Sequence, residues 1–287
     1  AIASYSDYEQ LVGGVETLFK DSSGIVENYA NNAYKTAGLS ANEYMDTVTS
    51  FSASLLQSLN GDTAKSAEVA DKAITDMSDN ANKMGTSMES IQNAYQGFAK
   101  QNYTMLDNLK LGYGGTKSEM ERLIGDANKL AKAQGQAGNL TIESYADVVE
   151  AIHLVQDNMG ITGTTAKEAS TTIQGSIGAM KSAWSNLLTG MADENANFDT
   201  LMENLIDSIG TVIQNIVPKV KIVIDSIISL LIELFPQIVD LITELLPDVM
   251  DGMNKLLQGI IEALPTVVDA IIGIIPQIID VLQMAIP

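Results

Sequence analysis

Between residues 205 and 287, polar side chains form a narrow stripe along a repeat that is otherwise apolar. Prolines punctuate this segment at positions 218, 236, 247, 265, 276 and 287. Apolar residues precede each proline and, in most repeats, recur two and three positions later, with an acidic residue at the fourth. A surface helix of a soluble protein usually shows the opposite, an apolar stripe on a polar rod. The pattern therefore predicts a helix that needs a large apolar partner.

The spacing of the prolines predicts a nearly straight helix. The intervals between successive prolines are 18, 11, 18, 11 and 11, and Ser229 and Gln258 divide each interval of 18 into 11 and 7. The combined unit of 11, 7 and 11 fills eight turns at about 3.6 residues per turn, the period of an undistorted α-helix. Short helices beginning at each proline are disfavoured because no capping residue precedes any of the prolines.

We therefore predict a largely continuous rod, on the order of 100 Å long for residues 218–287. A proline inside a helix removes a backbone hydrogen bond, so gentle kinks are expected at the interior prolines. The predicted kinks are at Pro218, Pro236, Pro247, Pro265 and Pro276.

Six carboxylates of the repeat fall on one face of the predicted rod. They are Glu233, Asp240, Asp251, Glu262, Asp269 and Asp280. In one interpretation they solvate the single exposed face of an apolar helix. In the other they line a polar lumen or seam when several copies assemble. The first is favoured, because carboxylates are rarely buried without a partner.

The sequence predicts two regions. Residues 1–197 are a polar helical region rich in Ala, Ser and Asn, and residues 198–287 are an apolar helical region with 11/7-residue repeats. Apolar residues recur at steps of three and four and strand alternation is nowhere sustained, so the fold class is all-α, with elongated helical segments and helix-turn-helix pairs. The narrow stripes favour helix pairs or an extended bundle over a compact globule. Four capping boxes predict helix starts. These are Ser6–Glu9, Ser40–Glu43, Thr116–Glu119 and Thr165–Glu168.

Charge and composition exclude several functions. The chain has 36 acidic against 16 basic residues, no cysteine and one histidine. Direct or sequence-specific nucleic-acid binding is disfavoured because no basic cluster is present. His153 has no second ligand at a recognisable spacing, and Gly112–Ser118 departs from a phosphate loop because Thr116, not glycine, precedes Lys117. We find no catalytic constellation, metal site or cofactor site, and expect that the protein is not an enzyme.

Three segments carry a resemblance to a known family. Residues 81–88, 91–103 and 105–116 resemble the tail tape measure proteins of phages and prophages of Gram-positive bacteria. The resemblance covers most of the chain, and its specific part is residues 82–124. The proline-punctuated repeats after Val217 are similar to the apolar region of those proteins. The resemblance implies a structural protein that sets tail tube length, occupies the tube lumen and leaves toward the host envelope ahead of the DNA.

The resemblance also implies partners and a location. The expected partners are further copies of the chain, the tail tube, tail-tip or baseplate hub proteins, and the host membrane on release. The expected location is the tail tube lumen of a virion or tail-like particle, after assembly in the host cytoplasm, and the chain is expected to be part of a longer polypeptide. The alternative is a pore-forming or membrane-inserting protein acting through residues 205–287. It is disfavoured because the longest uncharged run, Ser208–Pro218, has eleven residues, against about 20 for a span.

Overall fold

A computed structural model describes the backbone of residues 2–285 and the side chains of residues 2–277. Over this part of the chain every regular element is helical and no strand occurs, so the predicted all-α class is confirmed. The α-helices are α1 (Ile2–Phe19), α2 (Ser23–Thr36), α3 (Ala41–Ser58), α4 (Thr63–Met84), α5 (Met88–Ala99), α6 (Lys117–Ala133), α7 (Tyr145–Asn158), α8 (Thr164–Thr171), α9 (Ile173–Gly190) and α10 (Phe198–Ala285). Two short 3-10 helices lie at Lys20–Ser22 and Leu106–Leu109.

Residues 1–219 form one compact unit, and residues 220–287 form the other. Helices α1 to α7 share a buried core whose largest fully buried side chains include Tyr44, Tyr95, Phe98 and Leu55. The expected preference for extended helix pairs over a compact unit was wrong for this region. Alanines such as Ala70 are fully buried, so narrow stripes of small residues are sufficient to form a core.

Of the four predicted capping boxes, one forms completely and one forms only in part. The Ser40 hydroxyl accepts the Glu43 N–H and the Glu43 carboxylate accepts the Ser40 N–H, which is a complete box at the start of α3. At α6 the Thr116 hydroxyl accepts the Glu119 N–H, but the Glu119 carboxylate accepts the Gly114 N–H and not that of Thr116. The other two predicted starts, at Ser6 and Thr165, were wrong because Ser6 lies inside α1 and Thr165 inside α8.

Helix α10 runs without a break from Phe198 to Ala285, through all five interior prolines. The predicted continuous helix is therefore confirmed, and a chain of short helices is excluded over this range. Kinks at the prolines stay a prediction. The side chain of Asp280 and residue Pro287, which belong to the predicted repeat, lie outside the described residues.

The start of α10 belongs to the compact unit. Leu205, Ser208 and Val212 are buried, and Leu205 packs with Tyr34, Ala183 and Leu187. The compact unit thus extends to Lys219, whereas the apolar helix itself begins at Phe198. The division of the chain into functional regions at residue 198 remains a prediction.

Candidate functional site: an exposed apolar helix surface

The helix surface of residues 220–277, hereafter the rod surface, is apolar and uncovered. Every large hydrophobic residue from Val220 to Ile275 is at least 36% exposed, and Ile232 reaches 69%. In folded monomers, contiguous exposed apolar patches rarely exceed a few hundred Å², and larger ones mark interaction sites. The rod surface is therefore the candidate site of this protein.

The described carboxylates of the repeat lie on a single line along the rod surface. From Glu233 the next acids follow at steps of 7, 11, 11 and 7 along the chain, ending at Asp269. At about 100° per residue these steps keep all five within an arc of about 40°. This line is hereafter the acid stripe. Its side chains are exposed, as the solvating interpretation expects, and which interpretation holds in an assembly remains a prediction.

One ion pair lies on the acid stripe. The Lys255 ammonium is 2.6 Å from a carboxylate oxygen of Asp251, one turn earlier, and the two side chains are 75% and 63% exposed. An exposed pair of this kind contributes at most about 0.5 kcal/mol to helix stability. The acid stripe thus keeps its negative charge, because residues 220–277 contain only one other lysine, Lys221.

The prolines make α10 costly as an isolated helix. Each interior proline costs about 3 kcal/mol, because it removes a backbone donor and crowds the preceding turn. Five such prolines, from Pro218 to Pro276, lie within the unbroken helix, so the summed cost is on the order of 15 kcal/mol. Packing of the rod surface against a partner would offset this cost.

The hydropathy of α10 also meets the requirement for a membrane span by length and composition. Within Phe198–Gln277 an 18-residue window reaches a mean hydropathy of 2.0 with no more than two charged residues. None of that window is buried. The sequence analysis considered only uncharged runs. A window that tolerates two charged residues instead shows that α10 is long and apolar enough to cross a membrane.

A second feature, which the sequence analysis missed, is an Asp–His pair in the compact unit, with a buried carboxylate and a partly buried imidazole. His153 Nδ1 on α7 lies 3.0 Å from each carboxylate oxygen of Asp76 on α4. The Asp76 side chain is 1% exposed and that of His153 is 24% exposed. The two residues are 77 positions apart, so no local spacing could have indicated the pair.

Burial and hydrogen bonding change the pKa values of this pair. Desolvation raises the pKa of Asp76 to about 6, although the hydrogen bond from His153 opposes the shift. The same hydrogen bond raises the pKa of His153, against the opposing effect of its own burial. The raised pKa of Asp76 shows that loss of hydration outweighs the attraction of the imidazolium.

Neighbouring amides and backbone groups extend the pair into a network. Gln156 donates to the backbone carbonyl of Asp76 at 3.1 Å, and Asn80 donates to the Gln156 side-chain oxygen at 2.6 Å. The buried Asp79 carboxylate accepts the N–H groups of Gly163 at 2.6 Å and Thr165 at 2.8 Å. The network joins α4 to α7 and to the first turn of α8, which is a structural role.

The glycine-rich segment Gly112–Gly115 forms a corner before α6. Arg122 donates to the Gly112 carbonyl at 2.8 Å and its guanidinium lies 4.2 Å from the Tyr113 ring centre. Glu119 accepts from Arg122 and from the Gly114 N–H, and these bonds lower the pKa of Glu119 to about 2. Arg122 and Glu119 thus hold the corner closed through these contacts.

Comparisons with known proteins identify no relative. No protein-family model matches the chain, no curated protein matches it, and no solved structure matches it. Within residues 2–277, no group of three or more His, Asp and Glu side chains is arranged to hold a metal ion. The functional argument therefore depends on the chemistry of the rod surface.

Proposed function

We propose that this chain is a structural protein of a phage-type tail, a tape measure protein that sets the length of the tail tube. In this role it occupies the tube lumen and leaves toward the host envelope ahead of the DNA. Its partners are further copies of itself, the tube and the tail-tip or baseplate hub proteins. It has no enzymatic activity in this proposal and acts in the virion after assembly in the host cytoplasm.

The observation that carries the proposal is the unbroken helix α10, Phe198–Ala285. A helix converts residue number into length at about 1.5 Å per residue, so a continuous helix can act as a ruler. Its exposed apolar surface requires an enclosing assembly, which a tube provides. The resemblance of residues 82–124 to tape measure proteins supports the same role.

The charge of the chain is compatible with this role. The net charge is −20, and DNA attracts proteins through lysine and arginine contacts to its phosphates. A protein of this charge has little affinity for DNA that travels along the same lumen. Release ahead of the DNA then requires no disruption of protein–DNA contacts.

The proposal is tested by changing the length of the helix within the phage. Deletion of residues 237–265 removes one full unit of the repeat and joins Pro236 to Thr266, which preserves the pattern on both sides. The tail should shorten by about 44 Å, since roughly 29 residues are lost at about 1.5 Å each. Electron microscopy of purified particles measures the change.

A matched control for the deletion is Gln258→Ala, which lies within the same unit and leaves the chain length unchanged. Tails of this variant should keep the parental length. Tails of parental length after deletion of residues 237–265, or particles whose tails lack the chain, would contradict the ruler role.

A second candidate is insertion into a membrane through α10, because of the mean hydropathy of 2.0 in its most apolar window. Full-length protein mixed with zwitterionic phosphatidylcholine vesicles and centrifuged through a density gradient distinguishes the two functions. Flotation with the vesicles together with release of an enclosed dye would favour the membrane function. Sedimentation away from the vesicles would leave the structural role as the better explanation.

A further inference from the structure

We propose that copies of this chain pack side by side through one apolar seam of the rod surface, parallel and in register, in a bundle without supercoil. This inference rests on the proposed function and names the partner of the rod surface. The seam begins with Val220, Ile224, Ile227, Leu231 and Phe235 and continues at steps of three or four to Ile274. Each of its side chains is at least 40% exposed.

The seam lies opposite the acid stripe. At about 100° per residue, the seam positions fall within an arc of about 100° whose centre is roughly 170° from the centre of the stripe. No charged residue falls in the seam. Copies that meet through the seam thus bury aliphatic and aromatic side chains and leave the carboxylates at the outer surface, where they stay hydrated.

The period of the seam predicts helices that pack without coiling around each other. From Val220 to Ile274 the seam advances by fifteen steps, nine of four positions and six of three. The mean step is therefore about 3.6 residues, the period of an undistorted helix. A heptad repeat averages about 3.5 and forces a left-handed supercoil, because an undistorted helix drifts by about 20° per heptad. At the longer period the drift vanishes and the seam stays on one side of a straight helix.

The area of the seam is large enough for a stable pair. If each of the sixteen seam side chains buries about 60 Å², each copy hides about 1,000 Å², whereas a standard protein interface hides about 800 Å² per partner. The seam alone therefore provides sufficient area, and further apolar residues on its flanks remain for more copies.

Charge favours a second copy over a lipid surface as the occupant of the seam. Residues 220–277 carry eight acidic residues and two lysines. Anionic lipid headgroups attract lysine and arginine and repel an acidic helix. A second copy meets the seam without bringing any charge to it, and its own carboxylates point away.

The direction of the copies follows from the tube. Copies that surround the axis of a tail tube are related by rotation about that axis, which is cyclic symmetry. Rotation about an axis that runs along the helices leaves them parallel and at the same height. Each seam residue should then face its own equivalent in the neighbouring copy.

Single-cysteine variants of the full chain test this arrangement, because the natural sequence has no cysteine. Ile224→Cys, Ile242→Cys and Ile271→Cys place a thiol near the start, the middle and the end of the seam, within about 20° of one another around the helix. Thr266→Cys is the matched control, about 140° away from Ile271 on the helix. Each variant is oxidised with copper phenanthroline, and the covalent dimer is quantified on a non-reducing gel.

All three seam variants should form covalent dimer at least about tenfold more than Thr266→Cys, because a disulfide needs Cα atoms within about 7 Å. Dimer from only one of the three would indicate antiparallel copies and overturn the proposed register. Equal yields from all four variants would indicate non-specific aggregation and overturn the seam.

The two proposals fail in distinguishable ways. If the seam variants do not cross-link but deletion of residues 237–265 still shortens the tail, the seam is wrong and the ruler role stands. If they cross-link as expected while tail length ignores the deletion, the parallel seam stands and the ruler role is wrong.

Discussion

The buried Asp76–His153 pair should make the compact unit lose stability as pH rises, relative to a variant that lacks the buried acid. The pKa of Asp76 is about 6 in the folded protein against an ordinary value of 3.8. Because the folded pKa is the higher one, the unfolded chain releases this proton first. Stability from this group is therefore present below about pH 4 and lost as pH rises to about 6.

The magnitude follows from the size of the shift. A difference of about two pKa units corresponds to about 3 kcal/mol of unfolding free energy. The raised pKa of His153 acts in the same direction. The stability that His153 contributes is present below the ordinary histidine pKa and is lost as pH rises through its pKa in the folded protein. Asp76→Asn removes the acid and should abolish most of this pH dependence.

The measurement is the difference in unfolding free energy between Asp76→Asn and the parent protein. Urea denaturation is followed by the fluorescence of Trp184, the single tryptophan, which lies in the compact unit. Between pH 4 and pH 7 the unfolding free energy of Asp76→Asn should rise by about 3 kcal/mol relative to that of the parent protein. His153 is the only histidine, so its proton resonances report its pKa directly, and that pKa should fall in Asp76→Asn.

The ion pair Lys72–Glu150 is a matched control because it joins the same two helices. Its charged atoms are 2.6 Å apart, but its side chains are 34% and 29% exposed. Glu150→Gln should cost no more than about 1 kcal/mol, as is usual for pairs open to solvent. A difference curve for Asp76→Asn that is flat between pH 4 and 7, or that slopes the other way, would refute the reasoning about desolvation.

Three further substitutions, two of them paired with a control substitution, have defined outcomes. Ser40→Ala removes the helix cap of α3 and should lower the unfolding free energy by about 1 kcal/mol in urea. Gly115→Ala brings a methyl group against the Thr104 carbonyl and should lower the melting temperature, whereas Gly125→Ala meets open space within α6 and should raise stability by about 0.5–1 kcal/mol. Pro247→Ala should stabilise α10 by up to about 3 kcal/mol, seen as circular dichroism retained on heating, while Gln258→Ala, at the equivalent position of the repeat, should change it little.

Local sequence determined the parts of this protein whose contacts lie within one or two helical turns. The capping box of Ser40 and Glu43 forms between residues three positions apart, so the pattern alone is sufficient. The continuity of α10 is similar, because its apolar positions keep one period across each proline. For the same reason the acid stripe could be located residue by residue from the sequence alone.

Tertiary contacts override a local sequence pattern where a distant side chain takes the place of a local hydrogen-bond partner. Thr165 and Glu168 have the spacing of a capping box, yet Asp79, 86 residues earlier, accepts the Thr165 N–H. The buried Asp79 carboxylate accepts the backbone N–H groups of Gly163 and Thr165, and toward Thr165 it takes the role that the Glu168 carboxylate would have in a capping box.

The buried pair and the compact core depend on the same long-range packing. Asp76 meets His153 only because α4 packs on α7, and alanine stripes close a core only when several helices approach at once. The sequence by itself thus determined the helices, the repeat and the exposed acid stripe. The tertiary structure alone decided which polar groups lost their water, because burial depends on every neighbouring helix and not on local spacing.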